Sequence, residues 1–145
     1  MTTDWTYNGI PVTTIADEHE CFVYLITSLV DGRKYIGKKT LKSRITKPPL
    51  KGKKRKRRIV KESDWRTYYG SSDALNAEVL LHGVDNFTRE VIHWCESKSE
   101  ASYMEAYEQM MRHVLLDPMY FNSWISVRVT KCHLVKISQK YLKKS

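Results

Sequence analysis

Hydrophobic and polar positions repeat with two different periods along this chain, and the period indicates which element each stretch forms. Residues 21–27, Cys-Phe-Val-Tyr-Leu-Ile-Thr, are an unbroken β-branched and aromatic run. Such a run predicts a buried strand. Asp31-Gly32 is a hairpin turn signal, and Lys34-Tyr35-Ile36-Gly37 reads as the returning strand. Residues 86–94, Asn-Phe-Thr-Arg-Glu-Val-Ile-His-Trp, suit a third strand. Ser72 can N-cap a helix from about Asp73 to His82, with Gly83 at its C′ position. Ser97-x-x-Glu100 is a capping box, and the helix after it should run to about Leu116, where Asp117-Pro118 stops it. The apolar stripe of that helix is Met104, Tyr107, Met111 and Val114 or Leu115. The expected fold is α+β, a small three-stranded antiparallel sheet flanked by helices.

The rest of the chain lacks clear periodicity. Residues 1–20 read as a loosely organised N-terminal arm, 21–122 as the folded domain, and 123–145 as a basic C-terminal extension ending in Lys143-Lys144. Residues 40–62 hold Pro48-Pro49, Gly52 and the run Lys53-Lys54-Arg55-Lys56-Arg57-Arg58. Like charges at that density repel, which predicts a mobile loop.

Charge sharpens this reading. The chain carries a net +9, but fifteen Lys and Arg fall between Arg33 and Lys61 against one acid, Glu62, just beyond. The remainder has ten basic and fifteen acidic residues. All of the positive excess therefore lies in one stretch and makes a local field suited to a polyphosphate. No run of about 18 apolar residues is present, so no transmembrane helix is expected. The N-terminus lacks the pattern of a secretory signal. Three cysteines, none in a Cys-x-x-Cys pair, argue against a disulfide framework or a structural zinc site. A reducing cytoplasm is the expected location.

Phe22-Val23-Tyr24, followed eleven residues after Tyr24 by Tyr35-Ile36-Gly37, resembles the paired motif of the GIY-YIG nuclease family. A helical glutamate and a late asparagine, Asn122, follow in the family's order. Tyr-Ile-Gly-Lys-Lys at 35–39 and Tyr-Tyr-Gly-Ser at 68–71 are most similar to the phage-encoded homing endonucleases. The resemblance implies a DNA endonuclease that hydrolyses phosphodiester bonds with Mg2+, or another divalent ion such as Mn2+. If it is phage-encoded, the host cytoplasm is its place. Tyr24 would act as the base or position the water, with Lys38 and Lys39 lowering its pKa, and Tyr35 would orient water or phosphate. Glu105 would hold the metal, with Glu108 as the rival, and Asn122 would support the site. One carboxylate suffices for an ion that keeps most of its waters. The family's arginine after the second strand has no clear equivalent. Arg44 lies at a similar distance but in loop-like sequence, and Lys39 or Arg66 could serve instead. Tyr69 would stand near the phosphate. Lys38, Lys51, Lys53, Lys54, Arg55, Lys56, Arg57 and Arg58 would grip the backbone of double-stranded DNA. A non-catalytic DNA- or RNA-binding module on the same fold is the alternative. Monomer and dimer both remain open.

Overall fold

The computed structural model describes residues 5–142. The strands are β1 (Thr6–Tyr7), β2 (Ile10–Pro11), β3 (Cys21–Ser28), β4 (Lys34–Thr40), β5 (Lys42–Lys47), β6 (Arg57–Glu62) and β7 (Phe87–Cys95). The helices are α1 (Asp73–His82), α2 (Lys98–Met111) and the short α3 (Ser138–Tyr141). The fold is α+β, as expected. Its main sheet, however, has five strands rather than three, in the order β2-β1-β7-β3-β4. β3, β4 and β7 pair antiparallel as the sequence predicts. The two extra strands come from the stretch expected to be a loose arm. β1 pairs parallel with β7, and β2 folds back on β1 through Asn8-Gly9, whose φ values of 52° and 81° are those of a tight hairpin turn. Trp5 anchors this segment: it is buried, and its indole N–H donates to the Trp65 carbonyl at 2.7 Å.

β3 is covered on both faces, as its continuous apolar run implies. Phe22, Tyr24 and Ile26 join Trp5, Trp65 and Leu75 of α1 on one side. Cys21 and Val23 meet Ile36, Ala101 and Met104 on the other, under α2. Helix α1 has the expected bounds, with the Ser72 hydroxyl accepting from the Leu75 amide at 3.3 Å and Gly83 at φ 87°. Helix α2 ends at Met111, five residues before the predicted stop. His113 takes a left-handed φ of 54°, which terminates the helix before the proline can. The buried face also differs. Ala101, Met104 and Gln109 are buried, whereas Tyr107 and Met111 are exposed. Met104 and Val114 of the expected stripe are buried, but small residues and a hydrogen-bonded glutamine, rather than Tyr107 and Met111, complete the face that lies on the sheet.

Residues 40–62 are not a loop. β5 and β6 form a separate antiparallel ribbon, with Lys42 opposite Glu62 and Lys47 opposite Arg57. The part of the C-terminal extension described folds back onto α2. Glu100, fully buried, accepts from the Glu96 amide at 2.7 Å, from Lys140 Nζ at 2.7 Å and from the Tyr141 hydroxyl at 2.5 Å. Lys143 and Lys144 lie outside the described residues. Burial opposes ionisation of Glu100, but these donors together hold its pKa below the ordinary carboxylate value. A depressed pKa stabilises the fold above the ordinary carboxylate range, and that contribution is lost as pH falls through the folded value. Glu100→Gln should therefore lower stability at neutral pH by about 2 kcal/mol and flatten the acid limb of stability against pH. Urea unfolding at several pH values checks this, and an unchanged acid limb refutes it.

Candidate active site

β4 is the sheet's edge strand, and the site is built around that edge. Lys34 donates its amide to the Met119 carbonyl at 2.8 Å, and the Phe121 amide donates to the Lys34 carbonyl at 2.7 Å. One residue on, a side chain takes over from the backbone. Asn122 Oδ1 accepts from the Ile36 amide at 3.1 Å, and its Nδ2 donates to the Ile36 carbonyl at 2.8 Å. Gln109 Nε2 donates to the same carbonyl at 3.1 Å. Asn122 thus imitates the next strand and satisfies edge groups that would otherwise be buried unpaired. Past it opens a cleft of about 550 Å³, lined among others by Tyr35, Lys38, Ser71, Asp73, Glu105 and Asn122.

The pleat brings these groups in from both faces of the sheet. Tyr35 and Gly37 face the α1 side, and Ile36 and Lys38 face α2, so the edge is where Tyr35 and Glu105 meet. The Tyr35 hydroxyl lies 3.2 Å from Ser71 Oγ. Burial raises its pKa, although the Ser71 contact works the other way. The phenol is therefore neutral at physiological pH and can both donate and accept. Lys38 Nζ donates to Ser102 Oγ at 2.6 Å.

Glu105 and Glu108 differ sharply. Among the described residues Glu105 has no ion-pair partner, and burial raises its pKa despite the nearby Lys38 ammonium and amide. Glu108 is claimed on both oxygens, by His93 Nε2 at 2.9 Å and Arg112 Nε at 3.1 Å. Those contacts outweigh burial and lower its pKa. Of the two glutamates only Glu105 lines the cleft, where the exposed Asp73 is a second carboxylate without an ion-pair partner among the described residues. Among the described residues no group of three or more His, Cys, Asp or Glu could hold a metal. A bound divalent ion would take Glu105 as its part-buried carboxylate, with Asp73 lining the same cleft and waters and substrate oxygens completing its shell, a donor set that suits magnesium.

Several expected participants sit elsewhere. Tyr24 is fully buried behind Gly37, and its hydroxyl has no hydrogen-bond partner among the described residues. Burial, then Tyr68, Tyr35 and Glu105, push its pKa well up, the opposite of what a neutral-pH base needs. Both lysines meant to lower it are engaged: Lys39 Nζ lies 2.5 Å from Asp64 and over the Tyr68 ring, and Lys38 Nζ is held by Ser102. Arg66 pairs with Glu62 at 2.7 Å and stacks on Trp65, outside the cleft. Arg44 is bound to Glu20. The Tyr69 hydroxyl is buried, and the Arg89 guanidinium lies 4.2 Å from its ring centroid. None of these supplies the family's arginine to the cleft. Lys51 to Arg58 lie on the ribbon and its turn.

Sequence reasoning passed over Ser71, Asp73 and Gln109. Gln109 is four residues from Glu105 and so on its helix face, while Ser71 and Asp73 flank the N-cap of α1. Arg89 was missed as well. It is buried, donating to the carbonyls of Arg66 at 3.0 Å and Tyr68 at 2.9 Å. Its position between Phe87 and Val91 on an alternating strand is the signal that places it on the core face.

A family model described as "Putative endonuclease segE, GIY-YIG domain" matches residues 5–125. The match begins at Trp5 and so takes in β1 and β2. No curated protein and no solved structure matches the chain.

Proposed function

The chain belongs to the GIY-YIG endonuclease family of the segE type, and on that premise we propose that it is a magnesium-dependent endonuclease of the homing type that hydrolyses phosphodiester bonds in double-stranded DNA. The observation that carries this reading is the unpaired Glu105 carboxylate beside Tyr35 and Lys38 in an open cleft.

Each group has a chemical task there. Glu105 holds the cation, which when bound supplies positive charge to the phosphate and the leaving oxygen. Lys38 adds a fixed charge at the cleft wall and keeps a phosphate close. Tyr35, a neutral phenol, orients the attacking water or a phosphate oxygen by hydrogen bonding. Asn122 and Gln109 hold β4 still, so that Tyr35 and Lys38 keep their positions. Tyr24 supports Tyr35 from behind, with ring centroids 6.2 Å apart, and takes no proton itself. The similarity of residues 35–39 and 68–71 to homing enzymes supports the homing assignment. No helix among the described residues is long and apolar enough to cross a membrane.

Supercoiled plasmid incubated with the protein and magnesium should be converted to nicked or linear form, and EDTA should stop the conversion. Intact plasmid with DNA binding retained would overturn the reading and leave a binding module on a nuclease fold.

A further inference from the structure

The polycationic stretch is a β-ribbon, and its form suits a different task from that of a flexible clamp. Resting on the nuclease reading above, we propose that β5 and β6 enter the major groove of double-stranded DNA, with Thr46, Arg58 and Val60 reading base edges.

The first argument is exposure. The two strands pair with each other and not with the main sheet, and most of their residues are exposed. A lone two-stranded hairpin is marginal in water, so a ribbon like this gains from a surface that covers it.

The second argument is size. Six residues per strand at about 3.3 Å each span about 20 Å. That is about six base pairs at about 3.4 Å per step. A two-stranded ribbon fits the major groove, about 12 Å wide, and not the minor groove, about 6 Å wide.

Charge is divided along the ribbon. At its base Lys42 donates to the Asp17 carbonyl and Arg44 pairs with Glu20, which fixes the ribbon to the body. Further out, no basic residue from Lys47 to Arg58 has an acidic partner among the described residues. Those cations are available to phosphates on the groove walls.

The faces also differ. Ile59 and Arg57 are half-buried, and Arg57 donates to the Pro48 carbonyl at 3.2 Å. Thr46, directly opposite Arg58, shares the other face with Val60, and all three are exposed. An arginine there can take guanine O6 and N7 together, and the Thr and Val methyls suit the thymine methyl. The ribbon follows β4 through the buried Leu41. A recess lined by Lys38, Lys39, Thr40 and Lys98 shares Lys38 with the cleft, and a second recess, lined by Lys42 and Arg44 at the ribbon's base, shares Thr40 and Lys98 with the first. A duplex in the cleft would therefore meet the ribbon alongside the cut site.

The test uses the full chain in EDTA, so cleavage plays no part. Duplexes selected by binding from a randomised pool are treated with dimethyl sulfate, which methylates guanine N7 in the major groove and adenine N3 in the minor groove. We expect a selected preference that includes guanine. N7 methylation across about six base pairs should weaken binding at least about tenfold, and N3 methylation should have no effect. Arg58→Ala should reduce discrimination at one guanine by about tenfold to a hundredfold, whereas Lys53→Ala should weaken all sequences alike. An RNA duplex should compete at least about tenfold less well, because its major groove is too deep and narrow to enter. No sequence preference, interference at adenine N3, or equal competition by RNA would overturn the proposal. A plasmid left intact in magnesium would count only against the nuclease reading. Nicking without N7 interference would count only against the ribbon.

Discussion

Glu105→Gln should lower the rate of DNA cleavage by about a thousandfold or more while affinity for duplex stays within about twofold. Charge stabilisation by a bound cation at the phosphate is worth several kcal/mol, and each 1.4 kcal/mol is about a factor of ten in rate. Glutamine keeps the volume and removes the charge that would hold the ion. Stability should respond in the opposite sense. Glu105 is a part-buried carboxylate with a raised pKa and no ion-pair partner among the described residues, so the neutral amide should leave the fold unchanged or firmer by up to about 1 kcal/mol. Glu108→Gln supplies the contrast. It removes a partner from both His93 and Arg112, so it should weaken the fold and change cleavage by less than about threefold. Initial nicking rates at saturating protein, with urea midpoints for both variants, measure all four effects. Loss of cleavage in the Glu108 variant, or its retention in the Glu105 variant, would reverse the assignment.

The features the sequence made legible share one property: they are set by neighbours close along the chain. Ser72 and Gly83 mark the ends of α1 because capping is decided within one turn, and Asp31-Gly32 marks the first hairpin for the same reason. Asn8-Gly9 is an equally local signal. It was obscured because β1 is only two residues long and finds its partner in β7, more than eighty residues away. The ribbon was hidden by its charge. Like-charge repulsion argues against order, yet Ile45 opposite Ile59 and the fixed register at its base are enough to pair the strands. In the site, residue types were easier to identify than roles. Tyr35, Glu105 and Asn122 line one cleft. Tyr24 does not reach the cleft, because a strand tyrosine facing a crowded layer of aromatic rings is enclosed by it. Asn122 supports the site through the backbone of β4 rather than through the cleft chemistry, a task that no motif spacing reveals.

Gly37→Ala should destabilise the protein by about 3 kcal/mol, a large overpacking penalty, and reduce cleavage with it. Gly37 lies directly opposite Tyr24 on the neighbouring strand, and the Tyr24 ring folds over it. A Cβ at this position would lie 2.6 Å from Tyr24 Cζ and 2.9 Å from Tyr35 Cε2, with the Tyr24 hydroxyl closer still. Neither ring can easily move. Tyr24 is boxed by Trp5, Phe22 and Tyr68, whose centroids lie 5.4, 5.9 and 5.9 Å away. Gly70, at φ 92°, closes the box, since a Cβ there would stand 3.5 Å from the Tyr24 hydroxyl. Tyr35 could yield only by swinging into the cleft, which would displace the phenol assigned to orient water. The alanine therefore acts on fold and site through one collision. Tyr24→Phe should fold within about 1 kcal/mol of the parent, because the hydroxyl it removes has no partner to lose. A double-mutant cycle isolates the contact. In a Tyr24→Leu background, where the ring is gone, the penalty of Gly37→Ala should fall by at least about half. A full penalty in that background would show that the collision is with something other than the phenol, and the account of Tyr24 as the support behind Tyr35 would fail with it.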